Sequence, residues 1–337
     1  MQCHAPIAVE VTRGPLVESR HAVRAVAVDA DGRHVAAFGD IEAPVFPRSA
    51  IKMLQAIPLV ETGAADAFKL SSEELALACA SHSGQPEHVS RVEAWLKRLG
   101  LSADDLECGP QWPIHEGSAH AMAGRGETPT QAYNNCSGKH TGMLSHARHL
   151  GEPTRGYTAP THPTQRRALA AIAAMAGMRE SAIMLGTDGC SLPAVALPLE
   201  RFAAALAKFG TPTALEPKRA EACRRLFAAK TAHPHLVSGT GRFDAAFMPA
   251  LKGRIASKSG AEGVWAAVVP DRGLGLAVKA EDGTGRAAEV GMIELMRRLG
   301  ILDAAELDAV AKLAHPTLSN RAGRMVGEIR PARDAGF

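Results

Sequence analysis

Several features that would assign this chain to a class at once are missing from its 337 residues. The six cysteines are widely spaced and form no C-x-x-C pair, so neither a disulfide framework nor a ribbon-type zinc module is indicated. No apolar run reaches membrane-spanning length, and the start "MQCHAPIAVEVTRG" lacks the charged and apolar segments of a secretory signal. These absences predict a cytoplasmic protein with reduced thiols and no membrane partner.

A strong excess of either charge is also missing. Lys and Arg number 38 against 35 Asp and Glu, and the basic residues are scattered along the chain, so nucleic acid is not an expected partner. Hydrophobic residues make up 46% and charged residues 22%, which is the composition of a globular protein. The length suffices for a substantial core in one large domain or two ordinary ones.

Strand patterns occur at both ends of the chain and helix patterns lie between them. Alternating runs before and after the turn at residues 29–32, and two β-rich runs within residues 263–282, predict strands. The interior has apolar residues at helical spacing with serine or proline starts and glycine stops. We therefore predict an α/β (α+β) fold in which both termini build one mostly antiparallel sheet around an inserted helical lobe.

This pattern predicts a single catalytic domain over residues 1–337. Its sheet lobe would comprise about 1–45 and 236–337, and its helical lobe about 46–235. The helices expected in the middle lie at residues 48–64, 71–84, 86–100, 163–178, 198–210 and 216–230, and a final helix lies at 286–300.

Ser49 and Lys52 form the only S-x-x-K in the chain. If a helix begins after Pro47, both side chains lie on one face and the Ser49 N–H is free in the first turn. A lysine kept neutral by burial can accept the serine proton, while that N–H stabilises an oxyanion. A lone S-x-x-K is more often a helix-start serine followed by a solvated lysine.

A second motif, K-[ST]-G, supports a catalytic interpretation of the S-x-x-K motif. Lys258-Ser259-Gly260 is the only K-[ST]-G, and it directly precedes a predicted strand. S-x-x-K on a helix followed by K-[ST]-G beside a C-terminal strand is typical of serine β-lactamases and penicillin-binding proteins. The S-D-N motif that belongs between them is absent, and "ASHSGQ" takes its place, where Ser81 or Ser83 could relay a proton or end a helix.

The stretch "NNCSGKH", residues 134–140, repeats the nucleophile-lysine spacing with a thiol. Cys136 could be a nucleophile with Lys139 or His140 as its base. It could equally be a buried structural thiol in a turn. His140 is the more ordinary metal ligand of the two basic residues, because lysine rarely coordinates zinc.

Six blocks together resemble the Rhizobium etli type of L-asparaginase, a class 3 enzyme of the asparaginase II family. The blocks, in order, are "RSAIKMLQ", "ASHSGQPEH", "NNCSGKHTGML", "GTDGCSLP", "VSGTGRFD" and "KSGAEGV". The resemblance implies the serine β-lactamase-like and glutaminase-like fold, a homodimer, and hydrolysis of L-asparagine.

The resemblance also implies roles for individual residues. Ser49 would be the nucleophile beside Lys52, with Ser81 and Lys258 as a second Ser-Lys pair. A zinc ion would be held by Cys136, Lys139 and Cys190. Metal ligation then becomes the leading interpretation of Cys136.

Two residues near these motifs are candidates for binding substrate. Asp188 could orient a ligand or contact the substrate ammonium, and otherwise is a turn aspartate. Arg48 could neutralise the α-carboxylate of asparagine, and otherwise faces water. The remaining thiols have no convergent partner in the sequence: Cys3, Cys79, Cys108 and Cys223.

The resulting hypothesis is hydrolysis of the L-asparagine side-chain amide through an acyl-serine. Two other functions are compatible with these motifs. The chain could be another serine-dependent amidase or acyl transferase, acting on glutamine or recognising penicillin. It could instead bind an amino acid without turnover.

Overall fold

A computed structural model describes residues 5–333 of the chain. The chain divides into two compact units. Unit 1 contains residues up to 50, residues 196–211 and residues from 247 onward. Unit 2 contains residues 51–195 and 212–246. Residues 196–211, which we expected in the helical lobe, thus belong to unit 1.

The strands lie mostly towards the two ends of the chain. They are β1 Ile7–Arg13, β2 Leu16–Asp29, β3 His34–Phe38, β4 Pro44–Val45, β5 Met184–Thr187, β6 Pro193–Pro198, β7 Ala256–Gly260, β8 Val264–Val269, β9 Leu274–Ala280, β10 Thr317–Ser319 and β11 Met325–Pro331.

Unit 1 is built on an antiparallel sheet with the order β10-β11-β1-β2-β9-β8-β7, and β3 also pairs with β2. The N-terminal β1 and β2 therefore lie between C-terminal strands, which confirms the predicted sheet built from both termini. The long strand β2 holds the sheet together, because it pairs with three neighbours. In addition, Pro44 and Val45 of β4 pair with Pro198 and Leu197 of β6.

The helices are α1 Lys52–Gln55, α2 Ile57–Glu61, α3 Ala64–Ala67, α4 Ser72–Ala78, α5 Pro86–Arg98, α6 Glu116–Gly124, α7 Ser137–His149, α8 Pro163–Ala176, α9 Leu199–Gly210, α10 Pro217–Ala232, α11 Pro234–Val237, α12 Phe243–Ala250, α13 Gly285–Arg298, α14 Ala304–Ala309 and α15 Ala311–Ala314. Short 3₁₀ turns occupy Arg48–Ile51, Ala103–Asp105, Gln131–Tyr133, Glu180–Ala182, Pro212–Ala214 and Pro270–Arg272.

The core of unit 1 lies where α9 and α13 pack on the central strands. All residues of β8 are buried. Gly275 of β9 allows α9 to approach closely, since a Cβ at that position would lie 2.0 Å from the carbonyl oxygen of Ala203. Replacing this glycine with any larger residue would push the helix off the sheet.

Unit 2 is a helical assembly in which α4 packs against α5, α7, α10 and α11. Helix α4 begins with a capping box between Ser71 and Glu74, which satisfies free N–H groups of its first turn. Trp95 is completely buried and donates its indole N–H to Ser145 Oγ at 3.0 Å. This side-chain hydrogen bond links α5 to α7.

Most local predictions are confirmed. The hairpin turn after Asp29 joins β2 to β3, and the turn beginning at Pro270 joins β8 to β9. The helices expected after Pro47, Ser71, Pro86, Pro163, Pro198 and Pro217 are all present. The C-terminal strands β10 and β11 were not expected. Among the described residues, no helix combines the length and the apolar character needed to cross a membrane.

Candidate active site

The Lys52 amine is the centre of the site in unit 2. Lys52 is the first residue of α1 and is only 1% exposed. Its Nζ donates to the Ala80 carbonyl oxygen at 2.6 Å, to Ser81 Oγ at 2.8 Å and to Cys136 Sγ at 3.1 Å. Burial lowers the pKa of this amine, and the neighbouring ammonium of Lys139 acts in the same direction.

These three acceptors match the three N–H bonds of a protonated lysine. A neutral amine keeps a lone pair, which can accept the Ser81 hydroxyl proton instead. Lys52 and Ser81 are therefore placed to exchange a proton across a 2.8 Å contact.

The loop after α4 places Ser81, whose N–H donates to the Val237 carbonyl at 2.9 Å. Ser83, the alternative serine, is turned elsewhere: its Oγ donates to the Ser238 carbonyl at 2.6 Å. Gly239 allows this approach, since a Cβ there would lie 2.4 Å from Ser83 Oγ and its φ is +110°. The sequence blocks "ASHSGQPEH" and "VSGTGRFD" thus form two loops that pack against each other.

The N-terminus of α7 brings the thiol of "NNCSGKH" to Lys52. Cys136 caps this helix, and Asn134 Oδ1 accepts its N–H at 2.9 Å. Gly138 lies against the end of α4, where a Cβ would lie 2.4 Å from the Leu77 carbonyl oxygen. Only glycine allows this approach, which brings Cys136 within hydrogen-bonding distance of Lys52.

A second cluster joins Cys136, Lys139 and Cys190, all at most 5% exposed. Lys139 Nζ donates to Cys190 Sγ at 3.3 Å, and the Cys136 thiol donates to the same sulfur. These donors lower the pKa of Cys190 to about 5, whereas donation and burial raise that of Cys136 to about 12.

The charge of Lys139 follows from the same contacts. Burial disfavours its ammonium, but Cys136, Cys190 and Asp188 together outweigh burial and raise its pKa. The cluster is therefore an ammonium and a thiolate that stabilise each other in a buried environment.

The geometry of this cluster is compatible with a zinc ion. In a tetrahedral zinc site, a sulfur ligand and a nitrogen ligand lie about 3.5 Å apart, and the Lys139 and Cys190 donors are 3.3 Å apart. Binding would require the Cys136 thiol and the Lys139 ammonium to lose their protons. Within residues 5–333 no group of three or more His, Cys, Asp or Glu is arranged as a metal site, so zinc at this cluster stays a prediction that depends on Lys139 as a ligand.

His140, the alternative ligand to Lys139, is completely buried on α7. The Tyr157 hydroxyl accepts the Glu107 N–H at 2.9 Å and lies 2.6 Å from His140 Nδ1. The buried His140 Nε2 has no hydrogen-bond partner among the described residues. Burial lowers the pKa of His140 to about 3, which keeps the ring neutral.

Asp188 lies in the turn between β5 and β6 that carries Cys190. Its own N–H donates to the Leu192 carbonyl at 2.8 Å, and its Oδ1 accepts the Gly189 N–H at 2.8 Å. The next residue after Cys190, Ser191, has a φ of +70°. This tight turn orients the thiol towards Lys139, and Asp188 contributes to the field that keeps Lys139 charged.

In unit 1, Ser49 follows a residue with unusual backbone geometry. Arg48 has a φ of +52°, in the left-handed region that residues with a side chain rarely occupy. Such strain is concentrated at functional sites. Ser49 itself is half-buried in the 3₁₀ turn that Arg48 begins.

The K-S-G motif lies beside this turn within unit 1. Lys258 and Gly260 are on β7, and Lys258 is completely buried, with its Nζ donating to the Ser259 carbonyl at 2.8 Å. A Cβ at Gly260 would lie 2.3 Å from the Pro47 carbonyl oxygen and 3.2 Å from the Ala50 nitrogen. The glycine thus lets β7 lie directly against the segment that carries Ser49.

The predicted residues therefore fall into two sets. Unit 2 brings Lys52, Ser81, Cys136, Lys139 and Cys190 together, and unit 1 brings Ser49 near the K-S-G strand. Cys79, Cys108 and Cys223 are buried and form no disulfide, and Cys3 lies outside the described residues.

His82 and Ser137 were missed by sequence reasoning, although each directly follows a predicted site residue. His82 Nε2 lies 2.8 Å from Ser137 Oγ, and both side chains are buried. Their positions beside Ser81 and Cys136 in two recognised blocks were the only available signal.

Comparison with known proteins agrees with the resemblance seen in the sequence. The model of the L-asparaginase II family matches residues 9–331. A search of curated proteins finds no match to the chain.

Solved structures show only a distant likeness. Native Mglu has 16% identity and a TM-score of 0.46 over 85% of this chain. The chain covers 66% of native Mglu and 61% of Mglu in its glutamate form, less than two thirds of either. A β-lactamase from Mycobacterium bovis has 13% identity and a TM-score of 0.36, with 87% of this chain and 95% of that chain covered.

Proposed function

We propose, from the premise that this chain belongs to the L-asparaginase II family, that it is a serine-dependent amidohydrolase that converts L-asparagine to L-aspartate and ammonia. The observation that carries the proposal is the buried Lys52 amine, which contacts Ser81 Oγ and lies one helical turn after Ser49. Burial favours the neutral amine that a catalytic base requires.

Ser49 is the nucleophile in this mechanism. As Lys52 accepts its proton, Ser49 Oγ forms a bond to the carboxamide carbon, and the first-turn N–H of Ser49 stabilises the oxyanion. The bond from that carbon to nitrogen then breaks, and the nitrogen leaves as ammonia with the transferred proton. Water hydrolyses the resulting ester and releases aspartate, with Ser81 and Lys258 relaying protons.

Two charged residues are proposed to hold the ends of the substrate. The Arg48 guanidinium would neutralise the α-carboxylate, and Asp188 would attract the α-ammonium. An amino acid bound in this way presents its side-chain amide in a fixed orientation, which lowers the entropic part of the barrier.

Zinc is proposed to bind Cys136, Lys139 and Cys190, where it would orient substrate and hold the site together. Purified protein should contain about one zinc per chain, and Cys190→Ser should remove it, as measured by elemental analysis. Ser90→Ala, on the exposed side of α5, is the control and should keep its zinc. Metal-free protein prepared without chelators would contradict this part of the proposal.

Ammonia release tests the reaction itself. The protein should release ammonia from L-asparagine, and Ser49→Ala should abolish release while Ser90→Ala retains it. Release from glutamine alone, or acylation of Ser49 by a β-lactam, would show a related acyl-transfer enzyme instead. Asparagine binding without ammonia release by the unmodified protein would show a non-catalytic member.

The homodimer and the cytoplasmic location implied by the sequence stay predictions. A dimer should elute on gel filtration at about twice the chain mass of 35.3 kDa.

A further inference from the structure

His82 is completely buried between the two segments that supply acceptors to Lys52. It directly follows Ser81, and its partner Ser137 directly follows Cys136. His82 Nε2 and Ser137 Oγ are 2.8 Å apart. A single side-chain contact thus joins the neighbours of Ser81 and Cys136, the two Lys52 acceptors that are side chains.

The direction of every hydrogen bond in this contact is determined. The Gly84 N–H donates to His82 Nδ1 at 3.1 Å, so Nδ1 is an acceptor and the ring proton is on Nε2. Nε2–H therefore donates to Ser137 Oγ, and the Ser137 hydroxyl donates to the Ala132 carbonyl at 2.8 Å. The backbone strengthens the link, because the His82 N–H donates to the Asn135 carbonyl at 3.1 Å.

The plane of the His82 ring is fixed as well. It stacks on His88 with centroids 5.0 Å apart and an interplanar angle of 10°. His88 is itself held at both nitrogens, by the Gln85 N–H at 3.2 Å and the His235 carbonyl at 3.1 Å. The His82 imidazole therefore has little freedom to change its direction.

We infer that His82 is a positioning residue for the amidohydrolase reaction: by clamping the Ser81 loop to the first turn of α7, it sets the placement of Ser81 and Cys136 around the Lys52 amine. The inference rests on the proposed function. Small displacements at such a site reduce turnover strongly, because proton transfer needs a short and aligned contact.

Three substitutions of His82 distinguish the effect of its hydrogen bond with Gly84 from that of its hydrogen bond with Ser137. His82→Leu removes both, His82→Asn keeps an acceptor for the Gly84 N–H but is too short for Ser137, and His82→Gln keeps a donor that reaches Ser137. His82→Leu should lower kcat by up to about 100-fold, because a misplacement of about 1 Å can cost that much in rate, with KM nearly unchanged. His82→Gln should recover most of the loss and His82→Asn little of it.

A double-substitution cycle tests whether the bond to Ser137 is responsible. Ser137→Ala should lower kcat by a similar factor, and the pair His82→Leu with Ser137→Ala should be no worse than the stronger single change. His120→Asn, on the exposed surface of α6, is the control and should match the unmodified protein. A folded His82→Leu protein with unchanged kcat, or kcat losses that multiply in the pair, would overturn the inference.

One measurement does not depend on turnover. ¹⁵N NMR of the His82 ring should show a neutral imidazole protonated only at Nε2, and Ser137→Ala should shift the Nε2 resonance. If the unmodified protein releases no ammonia from asparagine, the proposed reaction is wrong, while this spectrum still reports on the clamp. An Nδ1-protonated or rapidly averaging ring would contradict the clamp itself.

Discussion

At the scale of single residues, burial determines the chemistry of Lys52, which is only 1% exposed. A buried ammonium would lose its hydration, and the three hydrogen bonds to Ala80, Ser81 and Cys136 would only partly replace it, so burial lowers the pKa of Lys52. The protein maintains this costly arrangement at the position where the proposed reaction needs a base.

Lys52→Met tests this interpretation, because methionine keeps much of the volume without the amine. Loss of a general base typically costs 10²- to 10⁴-fold in rate, so we expect kcat for asparagine to fall by about 10³-fold. The melting temperature should stay within about 5 °C, since the variant removes the desolvation cost of a buried amine as well as its hydrogen bonds.

Lys97→Met, at an exposed position of α5, is the matched control and should retain full activity. A Lys52→Met protein that is folded and nearly as active as the unmodified one would exclude Lys52 as the base.

The strained backbone at Arg48 and the buried Lys258 also belong to this scale. Arg48 precedes the motif residue Ser49 and Lys258 begins the K-S-G motif, and neither property could be read from the motif letters.

At the scale of elements, the packing of α7 on α4 determines whether the site forms. The contact occurs at Gly138, where any Cβ would overlap the Leu77 carbonyl. The sequence indicated α4 from its caps and its acidic first turn, whereas the helix α7 was not expected. A glycine in the stretch "NNCSGKH" also does not reveal which helix it faces.

Gly138→Ala should therefore destabilise unit 2 by about 1–3 kcal/mol, the range for overpacked positions. Urea denaturation measures this change. The matched control is Gly124→Ala at the end of α6, where no atom lies within 4 Å of the new Cβ. This control should be neutral or stabilising by up to about 1 kcal/mol, and equal effects of the two substitutions would contradict the close approach.

At the scale of the whole molecule, buried histidines should make the fold sensitive to acid. Burial lowers the pKa of His146 on α7 to about 3, whereas an unfolded chain protonates histidine near 6.5. At pH values between these two pKa values, His146 binds a proton in the unfolded state but not in the folded state. The free energy of unfolding should consequently fall as pH decreases from about 6.5 towards 3.

His146→Gln should reduce the pH slope of the unfolding free energy by about 1.4 kcal/mol per pH unit in that window. Urea denaturation at several pH values measures the slope. His149→Gln, an exposed position on the same helix, is the control. Identical slopes for the two variants would show that His146 is protonated in the folded protein.

Short-range patterns in the sequence determined most of the predicted helices and hairpins of this protein. Capping residues, proline starts and alternating runs predicted the main helices and the hairpins, because these signals act over a few residues. The order of the motifs indicated the family. The S-x-x-K spacing identified Lys52, since a helical turn is a local relation.

Only the tertiary structure decided what surrounds that lysine. Its acceptors Ser81 and Cys136 lie 29 and 84 residues away along the chain, and no spacing rule covers such distances. The pairing of the C-terminal strand β11 with β1 likewise depends on tertiary packing, because the local sequence pattern does not specify the partner of a strand. The His82 clamp was unpredictable for the same reason, because the fold decides which groups form hydrogen bonds with the two nitrogens of a buried ring.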